Sequence, residues 1–115
     1  MKKVDIIISR SEEVFHQDFT LQSLADMIKV NYKSLSQAIN ETTHSNFNNF
    51  INEIRVNEAC RRIGDPQYAN YTLETIGNSV GFNTRQTFIT AFKRHTGLTP
   101  SAWQKIMETE QKSED

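Results

Sequence analysis

Two stretches of the chain are rich in side chains that form hydrogen bonds. If each stretch is helical, its apolar residues face inward and its polar residues face outward. Arginine, lysine, glutamine, serine and threonine pair with base edges and phosphates in the major groove of DNA, and isoleucine can touch a thymine methyl. The candidate DNA contacts are Tyr32, Lys33, Ser36 and Gln37 in the first stretch and Arg85, Gln86, Ile89, Thr90 and Lys93 in the second.

Other reactive chemistry is sparse. The histidines His16, His44 and His95 fit no common zinc spacing, and a single cysteine excludes an internal disulfide and a cysteine-based zinc site. Cys60 lies on an apolar stripe, where packing is a far more common role than nucleophilic attack. The sequence has no cluster of carboxylates and no glycine-rich phosphate loop. We therefore expect no enzyme, no cofactor and no metal.

The elements that position the two polar stretches follow from an internal repeat. Residues 19–28 (FTLQSLADMI) align in register with residues 71–80 (YTLETIGNSV). Each copy has an aromatic residue, a threonine suited to cap a helix, and an apolar residue at the fourth helical position, which is the hydrophobic-staple arrangement. The pattern predicts two short helices that begin near residues 21 and 73.

A second helix follows each copy after a short turn. Apolar residues at spacings of three and four define its inner face, and Asn31 and Thr84 are suited to cap it. Gly81 supplies a left-handed position in the second turn, whereas the first turn has Lys29 and should be shaped differently. The predicted helix-turn-helix units span about 20–41 and 72–96.

A longer helix is predicted at about 46–63, with Ser45 as its cap and Gly64 after its end. Its apolar residues form two stripes, and between Ile54 and Val56 the apolar face turns by roughly 200°. A helix with opposite apolar faces at its two ends suits a bridge between two small cores. At about 1.5 Å per residue, it would span roughly 27 Å.

The ends of the chain are simpler. Residues 4–16 are predicted to form a first helix, and a last helix at about 100–107 begins with Thr99 as cap before a proline. Trp103 is expected to anchor that helix to the second core. Residues 108–115, rich in glutamate, are expected to form a frayed acidic tail.

The net charge of -1 is unevenly distributed along the chain. Residues 75–107 contain no acid and carry +4, residues 27–40 contain no acid and carry +2, and residues 108–115 carry -3. Binding responds to the local field and not to the average charge. The acid-free segments coincide with the second helices of the repeat, which favours phosphate contact; chance combined with solubility is the alternative explanation.

The chain resembles the AraC/XylS-type transcription regulators over nearly all of residues 19–105. The most specific part is residues 76–100 (IGNSVGFNTRQTFITAFKRHTGLTP), with a Gly-Phe turn, spaced phenylalanines and a Gly-x-Thr-Pro ending. In the predicted bridge the matching positions are Phe47, Phe50, Ile51, Asn52, Arg55 and Ala59. The resemblance implies two helix-turn-helix units in one chain, with recognition by Lys33, Ser36, Gln37, Arg85, Gln86 and Thr90.

The chain departs from the family pattern at several positions. His44 replaces a usual glycine, and Gly77 replaces a usual alanine at a cost of roughly 1 kcal/mol in helix propensity. Thr87 stands where an aromatic residue is common in the family, and Thr90 where an arginine is common. Gln104 stands directly after the last aromatic residue, where the family often has an arginine. The change at residue 90 removes a long cation from the second reading helix. Family members usually carry a sensing domain, so we expect a C-terminal part of a larger regulator.

We predict an all-α, homeodomain-like fold of about seven helices, with residues 1–107 forming the DNA-binding domain. The predicted function is sequence-specific binding of double-stranded DNA in transcription control, with two helices in successive major grooves. The alternative is a helical protein-interaction module in which DNA binding is lost or secondary. For Arg61 and Arg62 two roles are equally supported by the sequence: contact with DNA phosphates, or a solvent-exposed polar surface on the bridging helix.

The expected partners are duplex DNA and, in the full-length protein, RNA polymerase or a fused or upstream sensor domain. We expect no membrane contact and a cytoplasmic location. A basic start followed by a short apolar run, interrupted by Asp5 and Arg10, is not a signal peptide.

Overall fold

The computed structural model describes residues 12–114, where the chain forms six α-helices, two 3₁₀ helices and no strand. The all-α prediction is confirmed, with a helix count close to seven. The 3₁₀ helices span Glu12–Phe15 and Pro66–Tyr68. The α-helices are α1 (Leu21–Ile28), α2 (Tyr32–Thr43), α3 (Phe47–Ile63), α4 (Leu73–Ser79), α5 (Arg85–Thr96) and α6 (Pro100–Glu114).

The predicted caps begin five of the helices. The hydroxyls of Thr20, Thr72, Thr84 and Thr99 and the amide oxygen of Asn31 each accept a hydrogen bond from a backbone N–H in the first turn. Such bonds satisfy donors that the helix itself leaves unpaired. In α1 and α5 a hydroxyl three residues later bonds back to the cap residue, which completes a capping box.

The internal repeat is longer than the alignment of its two copies in the sequence indicates, because each copy includes a third helix. At the end of α2, the Thr43 hydroxyl bonds the carbonyls of Ile39 and Ser45. At the end of α5, the Thr96 hydroxyl makes the equivalent bonds to the carbonyls of Phe92 and Leu98. The following helix then begins at the same distance, so α1–α2–α3 and α4–α5–α6 are two versions of one three-helix unit.

Two separate cores stabilise these units. The first core contains Leu21, Leu24, Ala25, Leu35 and Ile39, with Phe47 and Phe50 of α3 packed against it. The second core contains Val56, Ala59, Ile76, Val80, Phe82, Phe88, Ala91 and Phe92, with Trp103 packed against it. The two halves of α3 therefore pack in different cores, and the predicted bridge is confirmed. The chain measures 50 × 27 × 25 Å.

Three predicted boundaries differ from the structure. Asn46, and not Ser45, caps α3, because its side-chain oxygen lies 2.9 Å from the Asn49 nitrogen, whereas the Ser45 hydroxyl accepts from the Asn49 side chain. Helix α6 continues to Glu114 and does not fray after residue 107. Glutamate, glutamine and lysine in that segment are good helix formers. The predicted helix at 4–16 lies mostly outside the described residues, and its described end is the 3₁₀ helix Glu12–Phe15.

Buried Arg55 of α3 fixes the segment before α1. Its guanidinium donates to the carbonyls of Val14 and His16 at 3.0 and 2.9 Å. Burial lowers the pKa of Arg55, and the two carbonyls compensate part of the cost of desolvation. The Gln17 side chain also donates to the carbonyl of Phe82 in the second helix-turn-helix turn. The segment before the first unit is thus attached to the second unit.

Candidate nucleic-acid interface

Helix α2 presents a polar face to solvent. Leu35 and Ile39 are buried in the first core, so residues on the opposite side of the helix face outward. Of the predicted contacts, Lys33 and Gln37 are exposed and Ser36 is half-buried. Tyr32, at the first helical position, is 47% exposed.

Helix α5 presents the equivalent face of the second unit. Arg85, Gln86, Thr90 and Lys93 are exposed, as expected. Ile89 is half-buried and lines a cleft of about 270 Å³ that Leu73 and Pro100, among others, also line. Ile89 therefore faces outward less than the sequence pattern indicates, and its equivalent in α2, Ser36, is half-buried too.

The packing of Phe88 sets how α5 is rotated against its core. A side chain at Gly77 in α4 would put a Cβ within 2.5 Å of the Phe88 ring. Glycine at this position lets the ring lie directly on the α4 backbone. Phe88 also contacts Phe82 and Phe92, with ring centroids at 5.4 and 5.7 Å. These contacts hold the opposite, polar side of α5 toward solvent.

The electrostatics of the two faces differ at one equivalent pair of positions that sequence reasoning missed. Helices α2 and α5 each have 12 residues, and the third residue from the end of each helix carries the opposite charge to its equivalent. That pair is Glu41 in α2 and Arg94 in α5, both exposed. Each lies one helical turn after a predicted contact, Gln37 or Thr90. A search for side chains four residues beyond each contact finds this pair from sequence alone.

Arg62 has an intramolecular role and is not a phosphate contact. It is 6% exposed and donates to Glu58 at 2.7 Å and to the Ser79 carbonyl at 3.2 Å. Its guanidinium also lies 5.3 Å from the centre of the Phe15 ring and 5.1 Å from that of Tyr68. Both rings lie within the range of a cation–π contact. Arg62 therefore ties α3 to the second core.

Arg61 forms ion pairs with two acidic residues that lie near it in the chain. Its guanidinium lies 2.6 Å from a Glu58 oxygen and 3.2 Å from an Asp65 oxygen. The bond from Arg61, followed by the one from Arg62, holds the pKa of Glu58 below its ordinary value. Both arginines are therefore ion-paired within the chain, and phosphate contact by exposed Arg61 stays a prediction.

The other residues considered for chemistry have packing environments. Cys60 packs against the second core, and burial raises the pKa of its thiol, which disfavours the reactive thiolate. His95 is half-buried at the end of α5. Between residues 12 and 114, no three metal-ligating side chains cluster. In the same range, no helix has the length and apolar character needed to cross a bilayer.

Two helix-turn-helix units, each with a solvent-facing second helix and joined by one continuous helix, define a class of all-helical double helix-turn-helix domains. The family model described as "Helix-turn-helix domain" matches residues 24–106, so the chain belongs to that family. The predicted resemblance to AraC/XylS-type regulators is confirmed.

Similar proteins include the HTH-type transcriptional activator RhaR of Escherichia coli K12, which is 25% identical over 103 residues. The alignment covers 90% of this chain and 36% of RhaR, so the chain spans about a third of the length of this relative.

Two solved structures share the fold. A transcriptional regulator with an AraC-type DNA-binding domain from Chromobacterium violaceum has a TM-score of 0.75 at 15% identity, covering 92% of this chain and 93% of that one. The DNA-binding domain of AdpA, a global transcriptional factor solved in complex with a target DNA, has a TM-score of 0.74 at 18% identity, covering 93% and 94%.

Proposed function

We propose that this domain binds double-stranded DNA sequence-specifically as part of a transcription regulator, with α2 and α5 in successive major grooves. The observation that carries the proposal is the pair of equivalent helices, each capped, packed on its own core and polar on its outer face. The similar RhaR is a transcriptional activator, and the similar AdpA domain was solved with a target DNA. Both support the same function for this chain.

The charge distribution supports the same function. Arg85, Lys93 and Arg94 lie on the exposed side of α5, in a segment of residues 75–107 without acids. The N-termini of α2 and α5 add backbone N–H groups and the positive end of the helix dipole. Phosphate contacts of these two kinds position a protein on the duplex, and the outward side chains then read base edges.

The length of the bridging helix α3 supports the placement of α2 and α5 in successive major grooves. Its 17 residues span about 26 Å at ~1.5 Å per residue. Adjacent major grooves on one face of B-DNA are about 34 Å apart. A continuous helix between the two units is a rigid connection of the right order of length, although the two cores extend beyond its ends.

We also propose that the domain works within a larger regulator. The aligned region is 36% of RhaR, so most of that relative lies outside it. A sensor domain joined to this one, and contacts with RNA polymerase, are the partners this arrangement would serve.

The test is the salt dependence of binding to duplex DNA selected from a random pool. We expect log affinity to fall steeply and linearly with log salt, because phosphate contacts release counterions. Arg85→Ala should weaken binding to the selected site by about 1–3 kcal/mol if Arg85 contacts a base. Arg61→Ala removes the same charge from α3 and is the matched control, which should change affinity little. Absence of binding at low salt would favour the protein-interaction alternative.

A further inference from the structure

The two reading helices differ in how they hold a glutamine side chain. On α2, the Gln37 Nε2 donates to a carboxylate oxygen of Glu41 at 3.0 Å. On α5, the Gln86 Nε2 lies 3.2 Å from the Thr90 hydroxyl. A carboxylate only accepts hydrogen bonds, whereas a hydroxyl both donates and accepts. The Gln37 amide therefore has one favoured orientation, with its nitrogen toward Glu41, whereas the Gln86 amide can bond Thr90 in either orientation.

We propose that Gln37 reads an adenine in the major groove and that Glu41 is the positioning residue that orients its amide; this rests on the DNA-binding function proposed above. With one N–H bonded to Glu41, the amide presents its oxygen and its second N–H. Adenine offers a donor, N6–H, and an acceptor, N7, and a glutamine amide can bond both together. The pair on α2 thus selects an adenine at one position of the site.

The placement of the pair is suited to this role. Gln37 lies on the side of α2 opposite buried Leu35 and Ile39, and Glu41 follows one turn later on the same exposed side. At the equivalent positions α5 has Thr90 and Arg94, so this pair of an amide and an accepting carboxylate is specific to α2. A carboxylate at the interface repels phosphate, so Glu41 lowers affinity for all DNA. In return, the oriented Gln37 amide makes binding selective for adenine at one position.

The experiment measures affinities for the selected duplex, for its single-base-pair variants and for unrelated DNA. Glu41→Ala should tighten binding to unrelated DNA about two- to fivefold through loss of the charge. It should also reduce the preference for adenine at one position by at least about fivefold. Glu41→Gln removes the charge but keeps an acceptor oxygen, so it should tighten non-specific binding and retain the preference.

Asp26→Ala is the matched control. The Gln22 Nε2 donates to the Asp26 carboxylate at 2.8 Å, with the same four-residue spacing, but on α1. This variant should leave the preference at every position unchanged. Gln37→Ala should lose the preference at the same position as Glu41→Ala.

Each other outcome identifies what fails. If the unaltered chain shows no salt-dependent binding, the proposed DNA-binding function fails and the inference fails with it. If the unaltered chain binds but Glu41→Ala keeps its full preference, or Glu41→Gln loses it, only the positioning role fails. A selected cytosine at that position would assign the base contact to the Glu41 carboxylate itself and overturn the reading role of Gln37.

Discussion

At the residue scale, the contact between Gly77 and Phe88 reverses the usual effect of a helical glycine. A glycine inside a helix costs roughly 1 kcal/mol relative to alanine. Here an alanine Cβ would lie 2.5 Å from the Phe88 Cδ2, inside a core where Phe88 is 2% exposed. The ring is held by Phe82 and Phe92 and cannot move away cheaply. Packing therefore outweighs propensity at this position.

We predict that Gly77→Ala lowers the free energy of unfolding by about 1–3 kcal/mol, as over-packing does in other cores. Urea unfolding followed by circular dichroism measures the change. Gly64→Ala is the control, because the nearest atom to its added Cβ is 4.0 Å away and its φ is -88°. That control should be neutral or slightly stabilising. A stabilised Gly77→Ala variant would mean that Phe88 adapts.

Glu58 makes stability depend on pH with a definite sign. Its bonds to Arg61 and to nearly buried Arg62 lower its pKa below the ordinary value of 4.5. A lowered pKa in the folded state adds stability above the ordinary pKa, and this is lost as pH falls through the lowered value. Glu58→Gln should cost about 1–3 kcal/mol at neutral pH, because Arg62 loses a charged acceptor.

The difference between the unaltered chain and Glu58→Gln should therefore shrink as the pH falls below 4.5. Unfolding free energies measured at several pH values check this. Glu53→Gln, at an exposed position of the same helix, should change stability by no more than about 0.5 kcal/mol. A pH-independent difference for Glu58→Gln would show that the charge of Glu58 is not involved.

At the element scale, helices α2 and α5 end in the same conformation with different residues. His44 after α2 and Gly97 after α5 are both left-handed, with φ of 55° and 80°. A residue with a Cβ pays roughly 1 kcal/mol or more for this conformation, whereas glycine does not. Exchanging the residues should therefore have opposite effects in the two units.

We predict that His44→Gly stabilises the domain by about 1 kcal/mol and that Gly97→His destabilises it by a similar amount. Thermal unfolding of both variants measures the shift, and the two together serve as each other's control. If both substitutions changed the stability in the same direction, interactions of the histidine ring, and not backbone conformation, would decide the stability at these helix ends.

The sequence predicted those elements that local chemistry determines. The caps Thr20, Asn31, Thr72 and Thr84 and the change of apolar face along α3 are readable because each depends on neighbours in the chain. The contacts of Arg55 with Val14, of Arg62 with Ser79 and of Gly77 with Phe88 are not readable, because each joins different elements of the fold. The bonds of Arg55 span 41 and 39 residues, for example. Base contacts by the outward residues stay a prediction, since DNA itself decides them.

At the scale of the whole molecule, charge and rigidity act together. The local charges of +4 and +2 lie in the segments 75–107 and 27–40, whereas the last eight residues carry -3. The net charge of -1 therefore indicates modest non-specific affinity and not an inability to bind DNA. The two units contribute together only if both reach their grooves at once, so the connection between them decides how much affinity they gain.

That connection is a single helix packed into both cores, and it predicts a distinctive response to spacing. Inserting about five base pairs between the two contacted grooves turns the second groove to the far side of the duplex, and affinity should fall to that of one unit. Inserting about ten base pairs restores the face but adds roughly 34 Å of length. Two units on a flexible linker would recover affinity, but α3 cannot stretch, so this chain should not recover. The test measures affinity for the selected duplex and for the duplexes with about five and about ten inserted base pairs. Recovery of affinity with ten inserted pairs would show that α3 unfolds or that two chains bind separately.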